Sequence, residues 1–225
     1  MGTNDASPMR ILALEFSSDR RSVAVSNDGA VAEAHTLKGG RTTPALGLIR
    51  QALEAAHLEM EQIQWIAVGL GPGSYTGIRA AIATAQGWNL ARQTRLLGIS
   101  SVHAMVHEAM TRGMTGIIHP VLSAQRGEFH LGHWQIGHGT CREISPLRIV
   151  SAQEVEALRL RNAVLVGPDE ANPVVQIHPM AKCLAAMASK RLDESAPTEE
   201  PLVPIYLRET MFVKAVSTCP PGINP

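Results

Sequence analysis

The chain has 225 residues, 45% of them hydrophobic, enough to bury a core and to divide into two small lobes. Its 20 Lys and Arg balance 20 Asp and Glu, which excludes a protein drawn to nucleic acid by its own net charge; RNA would be met through a partner. Three scattered cysteines, Cys141, Cys183 and Cys219, with no CxxC pair, exclude a disulfide framework and a zinc finger and point to a reducing compartment. No apolar run reaches the roughly 18 residues of a membrane span, and the polar opening from Gly2 to Pro8 lacks a signal peptide's apolar centre, so a cytoplasmic location without membrane contact is expected.

In chain order, Arg10 to Phe16 reads as a buried strand and Arg21 to Ser26 as a second. The Asn27-Asp28-Gly29 turn leads into a third, Ala30 to His35. Thr42 or Thr43 caps a helix with Pro44 at its first position, running to about His57. A fourth strand, Trp65 to Leu70, delivers the loop Gly71-Pro72-Gly73-Ser74-Tyr75-Thr76-Gly77, and a helix from about Gly77 to Arg92 follows. A fifth strand, Arg95 to Ile99, and a helix from Ser100 or Ser101 to the Gly113 region complete a β-β-β-α-β-α-β-α lobe. Strands then begin again: Gly116 to Leu122, Glu128 to Ile136 and Cys141 to Val150, with Gly137-His138-Gly139 as a turn. Ser151 and Glu154 form a capping box for a short helix. Ala163 to Val166 returns as a strand, and Met180 to Arg191 is the last helix, followed by a polar linker from Asp193 to Pro201. The division expected is a disordered N-terminus at 1–9, a first lobe at 10–113, a smaller second lobe at 114–208 and a tail at 209–225, disordered at its end. Strand-rich beginnings in both lobes suggest two related folds in tandem.

The glycine loop sits where a strand ends and a helix begins, which suits an anion. Thr76 stands where the third glycine of GxGxxG belongs, and no acid ends the next strand, so a dinucleotide site is not expected. No Walker lysine follows. Ser74 and Thr76 have neither a GxSxG elbow nor a His–acid pair, and are read as helix caps. The i, i+4 pair His103 and His107 has no evident third ligand, so no metal is expected, and no HExxH is present. Arg126 and Glu128 are read as a cross-turn surface pair.

Two helices carry a different signal. The first is apolar at Leu46, Ile49 and Leu53 and beyond one face. The second has a stripe of small residues, Ala80, Thr84, Gly87 and Ala91, at helical spacing. Both exceed what packing on a sheet requires, so they form the expected partner interface.

The motif Gly71-Pro72-Gly73-Ser74-Tyr75-Thr76-Gly77-Ile78-Arg79, following Ile11 to Ser18, resembles the TsaB family of bacterial tRNA threonylcarbamoyladenosine biosynthesis proteins. So do Leu97 to Ser101, Arg126-Gly127-Glu128 and the closing Pro204-Ile205-Tyr206-Leu207-Arg208, and the resemblance spans about Arg10 to Arg208. It implies an α/β chain of the actin-like ATPase (ribonuclease H-like) fold, with two tandem lobes of β-β-β-α-β-α-β-α type, the second abbreviated. It implies a non-catalytic scaffold subunit that supports the catalytic subunit TsaD in placing a threonylcarbamoyl group on the adenosine beside the tRNA anticodon. The ATPase TsaE joins that complex, tRNA is met only through it, and the same helices form a homodimer when TsaD is absent. No cofactor is required of this chain; ATP or ADP would fall at Glu15, Ser17, Gly71, Gly73 and Ser74. The family's first strand usually ends in Asp-Thr-Ser, whose Asp helps hold metal and water in actin-like ATPases; here Glu15-Phe16-Ser17 stands instead. A usual His-Ser pair is replaced around Arg41-Thr42, and Ser123 and His130 stand where Asp and Tyr are commoner. Counted from Gly98, TsaD's metal-binding histidines would fall at Ser101 and Met105, so His103 and His107 are turned by about 200° from that site. The alternative is a self-sufficient ATPase or small-molecule kinase of the same fold, with Glu15 as its carboxylate.

Overall fold

The structure, a computed structural model, describes residues 9–35, 45–137, 139–169, 175–194 and 201–207. The first lobe opens with an antiparallel meander, β1 (Arg10–Glu15), β2 (Ser22–Asn27) and β3 (Ala30–His35), turned at Asp28 and Gly29, both in the left-handed region. Then come α1 (Ala45–Ala55), β4 (Trp65–Gly69), α2 (Tyr75–Arg92), β5 (Arg95–Ile99) and α3 (Ser101–Thr111). β4 and β5 add to β1 in parallel, giving the sheet order β3-β2-β1-β4-β5. The second lobe holds β6 (Gly116–Ser123), β7 (Glu128–Gly137), β8 (Thr140–Ser151), α4 (Ala152–Leu160), β9 (Val164–Gly167), β10 (Val175–Gln176) and α5 (Ala181–Glu194). Its sheet runs β8-β7-β6-β9-β10, with two antiparallel pairings on one side of β6 and two parallel ones on the other. That is the first sheet's topology again. The expected two-lobed α/β fold class, with an abbreviated second copy, is what the chain adopts.

Strand alternation divides the first sheet's two faces. Leu12, Leu14, Val23, Val25, Ile66 and Val68 point to one side, where α1 and α2 cover them. Ile11, Ala13, Ala24 and Ala67 point to the other. There the alanines let a helix lie close, and the helix is α5, whose own small residues Ala181, Ala185 and Ala188 are fully buried. In return, α3 leaves the first sheet to pack Val102, Met105, Val106 and Ala109 with Ile118, Leu122, Trp134 and Ile136 of the second. Each lobe thus completes its core with a helix from the other's sequence. A buried carboxylate fastens the exchange: Glu108 on α3 pairs with Lys182 Nζ at 3.1 Å and with Arg112 Nε at 2.9 Å, and accepts from Cys183 Sγ at 3.4 Å. Burial works against its charge, but Arg112 and Lys182 outweigh it and hold this carboxyl below the usual range.

Several boundaries differ from the sequence reading. α2 begins at Tyr75 rather than Gly77, because Ser74 is the N-cap and accepts the Gly77 N–H at 3.3 Å. Ser151 caps α4 by accepting the Glu154 N–H at 3.4 Å, but the Glu154 carboxylate pairs with Arg148, so the box is half made. A complete capping box stands at Glu59 and Gln62, on a single 3-10 turn at Met60–Gln62. α5 runs on to Glu194 into the expected linker. The caps at Thr42 and Thr43 with Pro44, the Arg41-Thr42 departure, the centre of the turn at His138, the N-terminus to residue 8 and the tail from Arg208 lie outside the described residues. Among the described residues no helix is long and apolar enough to cross a membrane.

Candidate functional site

The loop from Leu70 to Ser74 sits where β1, β4, α2 and α3 converge, and the N–H groups of Leu70, Gly71 and Ser74 are already engaged. Gly71 N–H donates to Ser101 Oγ at 3.0 Å, and Gly71 C=O accepts from Ser101 N–H at 3.0 Å. Ser74 N–H donates to Ser17 C=O at 2.6 Å. The glycines' open space is taken by the chain itself. A Cβ on Gly71, whose φ is +86°, would lie 2.5 Å from Ile78 Cδ1. One on Gly73 would strike the Ser17 carbonyl, and one on Gly77 the Phe16 carbonyl. An anion cradle needs free N–H groups facing a cavity; these donors and these voids hold the β1–β2 turn and α3 instead.

Glu15, the carboxylate expected of a nucleotide site, is fully buried. It lies in inward register with Ile11 and Ala13, folded over Gly69, where any Cβ would overlap its Oε2 and come 2.9 Å from Ser101 Oγ. Oε1 accepts the Ser17 N–H at 2.8 Å, while Oε2 has no hydrogen-bond partner among the described residues. Burial pushes its carboxyl above the usual range, offset in part by the neighbouring Ser17 and Ser101. Ser17 is also buried, Ser74 is half-buried and occupied as a cap, and Gly73 is exposed. The five positions are neighbours, but the carboxylate is turned inward rather than toward solvent.

This burial sets a pH dependence. A carboxyl that holds its proton more tightly folded than unfolded stabilises the fold below the ordinary value of 4.5 and loses that contribution as the pH rises. Glu15→Gln is therefore expected to melt higher than the parent chain at pH 8, each kcal/mol gained being worth about 2–4 °C, with the difference closing toward pH 4. Thermal melts across that range check it; equal melting temperatures at pH 8 would contradict it.

The histidine pair is also accounted for. His103 packs on Trp134, ring centres 4.8 Å apart and planes tilted by 42°, and its Nε2 lies 3.5 Å from Cys141 Sγ. Burial lowers the pKa of both His103 and His107, and for His103 the neighbouring His107 adds to this. Among the described residues no group of three or more His, Cys, Asp or Glu is placed to hold a metal ion. Arg126 lies in a left-handed run from Gln125 to Gly127 that turns β6 into β7.

Sequence reasoning missed the acids near the lobe junction. Asp169, after β9, accepts the Ser123 N–H at 3.4 Å, and Asp19 of the β1–β2 turn approaches His178 Nδ1 at 3.6 Å. Burial lowers the His178 pKa, with Asp19 opposing. These residues are distant in sequence, and no motif spacing joins them.

The expected partner face is partly buried. Ile49 and Leu53 are 2% and 5% exposed and belong to the core with Leu48 and Ala52, so they have no surface for a partner. Leu46 stands 68% exposed. On α2, Ala80, Gly87 and Ala91 are exposed, and Thr84 is half-buried with its hydroxyl on the Ala80 carbonyl at 2.8 Å. Leu90, absent from the sequence reading, is 85% exposed on the same helix. A Cβ at Gly87 would meet nothing within 4 Å.

Comparison with known proteins bears on this arrangement. The family model described as TsaD, tRNA N6-adenosine threonylcarbamoyltransferase, matches residues 42–162, which is 121 of the 225 residues. The tRNA threonylcarbamoyladenosine biosynthesis protein TsaB of Escherichia coli K12 is 30% identical over 128 residues, covering 56% of this chain and 55% of that protein. TsaB of Bacillus subtilis 168 is 29% identical over 142 residues, 61% of this chain and 60% of that protein. The matched stretch thus spans little more than half the length of these relatives. Among solved structures, YeaZ from Pseudomonas aeruginosa superposes with a TM-score of 0.73 at 24% identity, covering 88% of this chain and 100% of that one. A second chain from that organism, described as similar to peptidase YEAZ, gives 0.73 at 23%, covering 89% and 100%. These share the fold. With more than half its length matched by the model, the chain belongs to the TsaD family, tRNA N6-adenosine threonylcarbamoyltransferase, and within it is similar to the TsaB proteins.

Proposed function

We propose that the chain is a non-catalytic subunit of the apparatus that makes threonylcarbamoyladenosine in tRNA, and that it supports TsaD by docking on it through the outer face of α2 and the exposed start of α1. The supporting observation is the glycine loop: its Gly71 and Ser74 N–H groups are taken by Ser101 and Ser17, the space beside Gly71, Gly73 and Gly77 is filled by Ile78, Ser17 and Phe16, and the carboxylate beneath it, Glu15, is buried over Gly69. A loop used this way fixes the start of α2, and α2 presents a surface of small residues and Leu90 that another helix can approach closely. TsaD carries the chemistry, TsaE joins the complex, and tRNA is met through the assembly, in keeping with the balanced charge. In the absence of TsaD the same face pairs two copies of this chain in a homodimer. The setting is the cytoplasm, with no cofactor of its own. The test is reconstituted threonylcarbamoyl transfer to tRNA with TsaD, TsaE and the activated threonylcarbamoyl donor. Transfer should require this chain, and transfer that proceeds equally without it would end the proposal.

A further inference from the structure

The two signature segments meet at the N-terminal end of α2. Ile205 N–H donates to the Leu70 carbonyl at 2.9 Å, and Leu202 is buried beside Leu70 in the first lobe's core. This brings the Tyr206 ring to 5.8 Å from that of Tyr75, tilted by 30°. The Arg79 guanidinium lies 4.8 Å from the Tyr75 ring centre and donates to the Tyr75 hydroxyl. Both tyrosines are about half exposed and Arg79 is exposed. The other arginine of α2, Arg92, pairs with Glu61, and Arg50 of α1 pairs with Glu54. Arg79 has no carboxylate partner among the described residues.

We infer that Tyr75, Arg79 and Tyr206 form an anchor for a carboxylate on the surface of the protein that docks on α2. This rests on the reading that α2 is a partner face. A guanidinium held against an aromatic ring and on its hydroxyl keeps its remaining N–H groups in a restricted fork that matches a carboxylate, and loses little freedom on binding. Arg79 lies on the same helical face as Ala83 and Leu90, beside the stripe Ala80, Gly87 and Ala91. Seating an apolar helix there removes water from around the guanidinium, so an acidic side chain opposite it sets register and rejects partners without one. RNA phosphate offers the same charge, but gives no use for exposed Leu90 and the small residues. Tyr206 is a positioning residue: it flanks Tyr75, which carries the guanidinium.

The test titrates TsaD from the same cell onto the full chain and its variants at low and high salt, with tRNA titrated in parallel. Arg79→Ala is expected to weaken TsaD binding by about tenfold or more, Arg79→Lys to recover only part, Tyr206→Phe to match the parent and Tyr206→Ala to fall between. Parent affinity should drop with salt and that of Arg79→Ala should not. Melting temperatures establish that each variant is folded. Binding by Arg79→Ala as tight and as salt-sensitive as the parent's overturns the anchor and leaves the docking proposal standing. Loss of tRNA binding with TsaD binding intact assigns the guanidinium to RNA and also overturns it. A parent chain that does not bind TsaD sinks both.

Discussion

Ala80→Arg combined with Gly87→Arg is expected to leave the chain folded and to weaken its binding to TsaD by more than about a hundredfold, on the order of 3 kcal/mol. Both positions are exposed on α2, and Gly87 has open space around the place of a side chain. Replacing a glycine inside a helix favours the helix by about 0.5–1 kcal/mol, so the substitution costs the fold nothing. What it costs is the close approach of a second helix, because two long charged side chains would stand where small residues allow contact. Gel filtration and thermal melts report the fold, and calorimetric titration with TsaD reports the contact. Undiminished affinity in a folded double variant would remove α2 from the interface.

The second large effect is on the fold. Gly77→Ala is expected to cost about 3 kcal/mol or more, because its Cβ would press on the Phe16 carbonyl, a backbone atom that cannot swing aside. The same turn accepts the Ser74 N–H through Ser17 C=O, so displacing it also disturbs the N-cap of α2. Denaturant unfolding of Gly77→Ala beside Gly87→Ala separates close packing from helix propensity. The first should lose stability and the second gain slightly. Equal midpoints would mean that the turn gives way easily.

Much of this architecture is legible in the sequence because its signals are local. Alternating apolar residues with Asn27-Asp28-Gly29 give the opening meander, and the apolar run Trp65 to Leu70 before glycines gives the strand–loop–helix. A start of α2 at Gly77 is two residues late because Tyr75 and Thr76 look like loop beside so many glycines, although Ser74 already supplies the cap. The exchange of α3 and α5 between lobes is not legible: helical periodicity tells that Val102, Met105, Val106 and Ala109 share a buried side, but not which sheet they meet. Ile49 and Leu53 suggest a partner because α1 is apolar over a wide arc, and only the packing shows that the core takes Leu48, Ile49, Ala52 and Leu53 and leaves Leu46 outside. Glu15 looks in sequence like a conservative stand-in for an aspartate. Its inward register with Ile11 and Ala13 and the glycine at position 69 beneath it are the signs of burial, and they become readable only once β1 and β4 are seen side by side. The meeting of Tyr75 with Tyr206 joins the two ends of the family motif, which sequence spacing cannot express.

The most direct test of the account is the amount of threonylcarbamoyladenosine formed in the reconstituted system with the Glu15→Gln chain in place of the parent. A supporting subunit whose carboxylate beneath the glycine loop is sealed in the core predicts the same yield as the parent, well above the mixture lacking the chain. A yield that falls to that of the mixture lacking the chain, with the variant folded and still bound to TsaD, would place the Glu15 carboxylate in the chemistry and contradict the account.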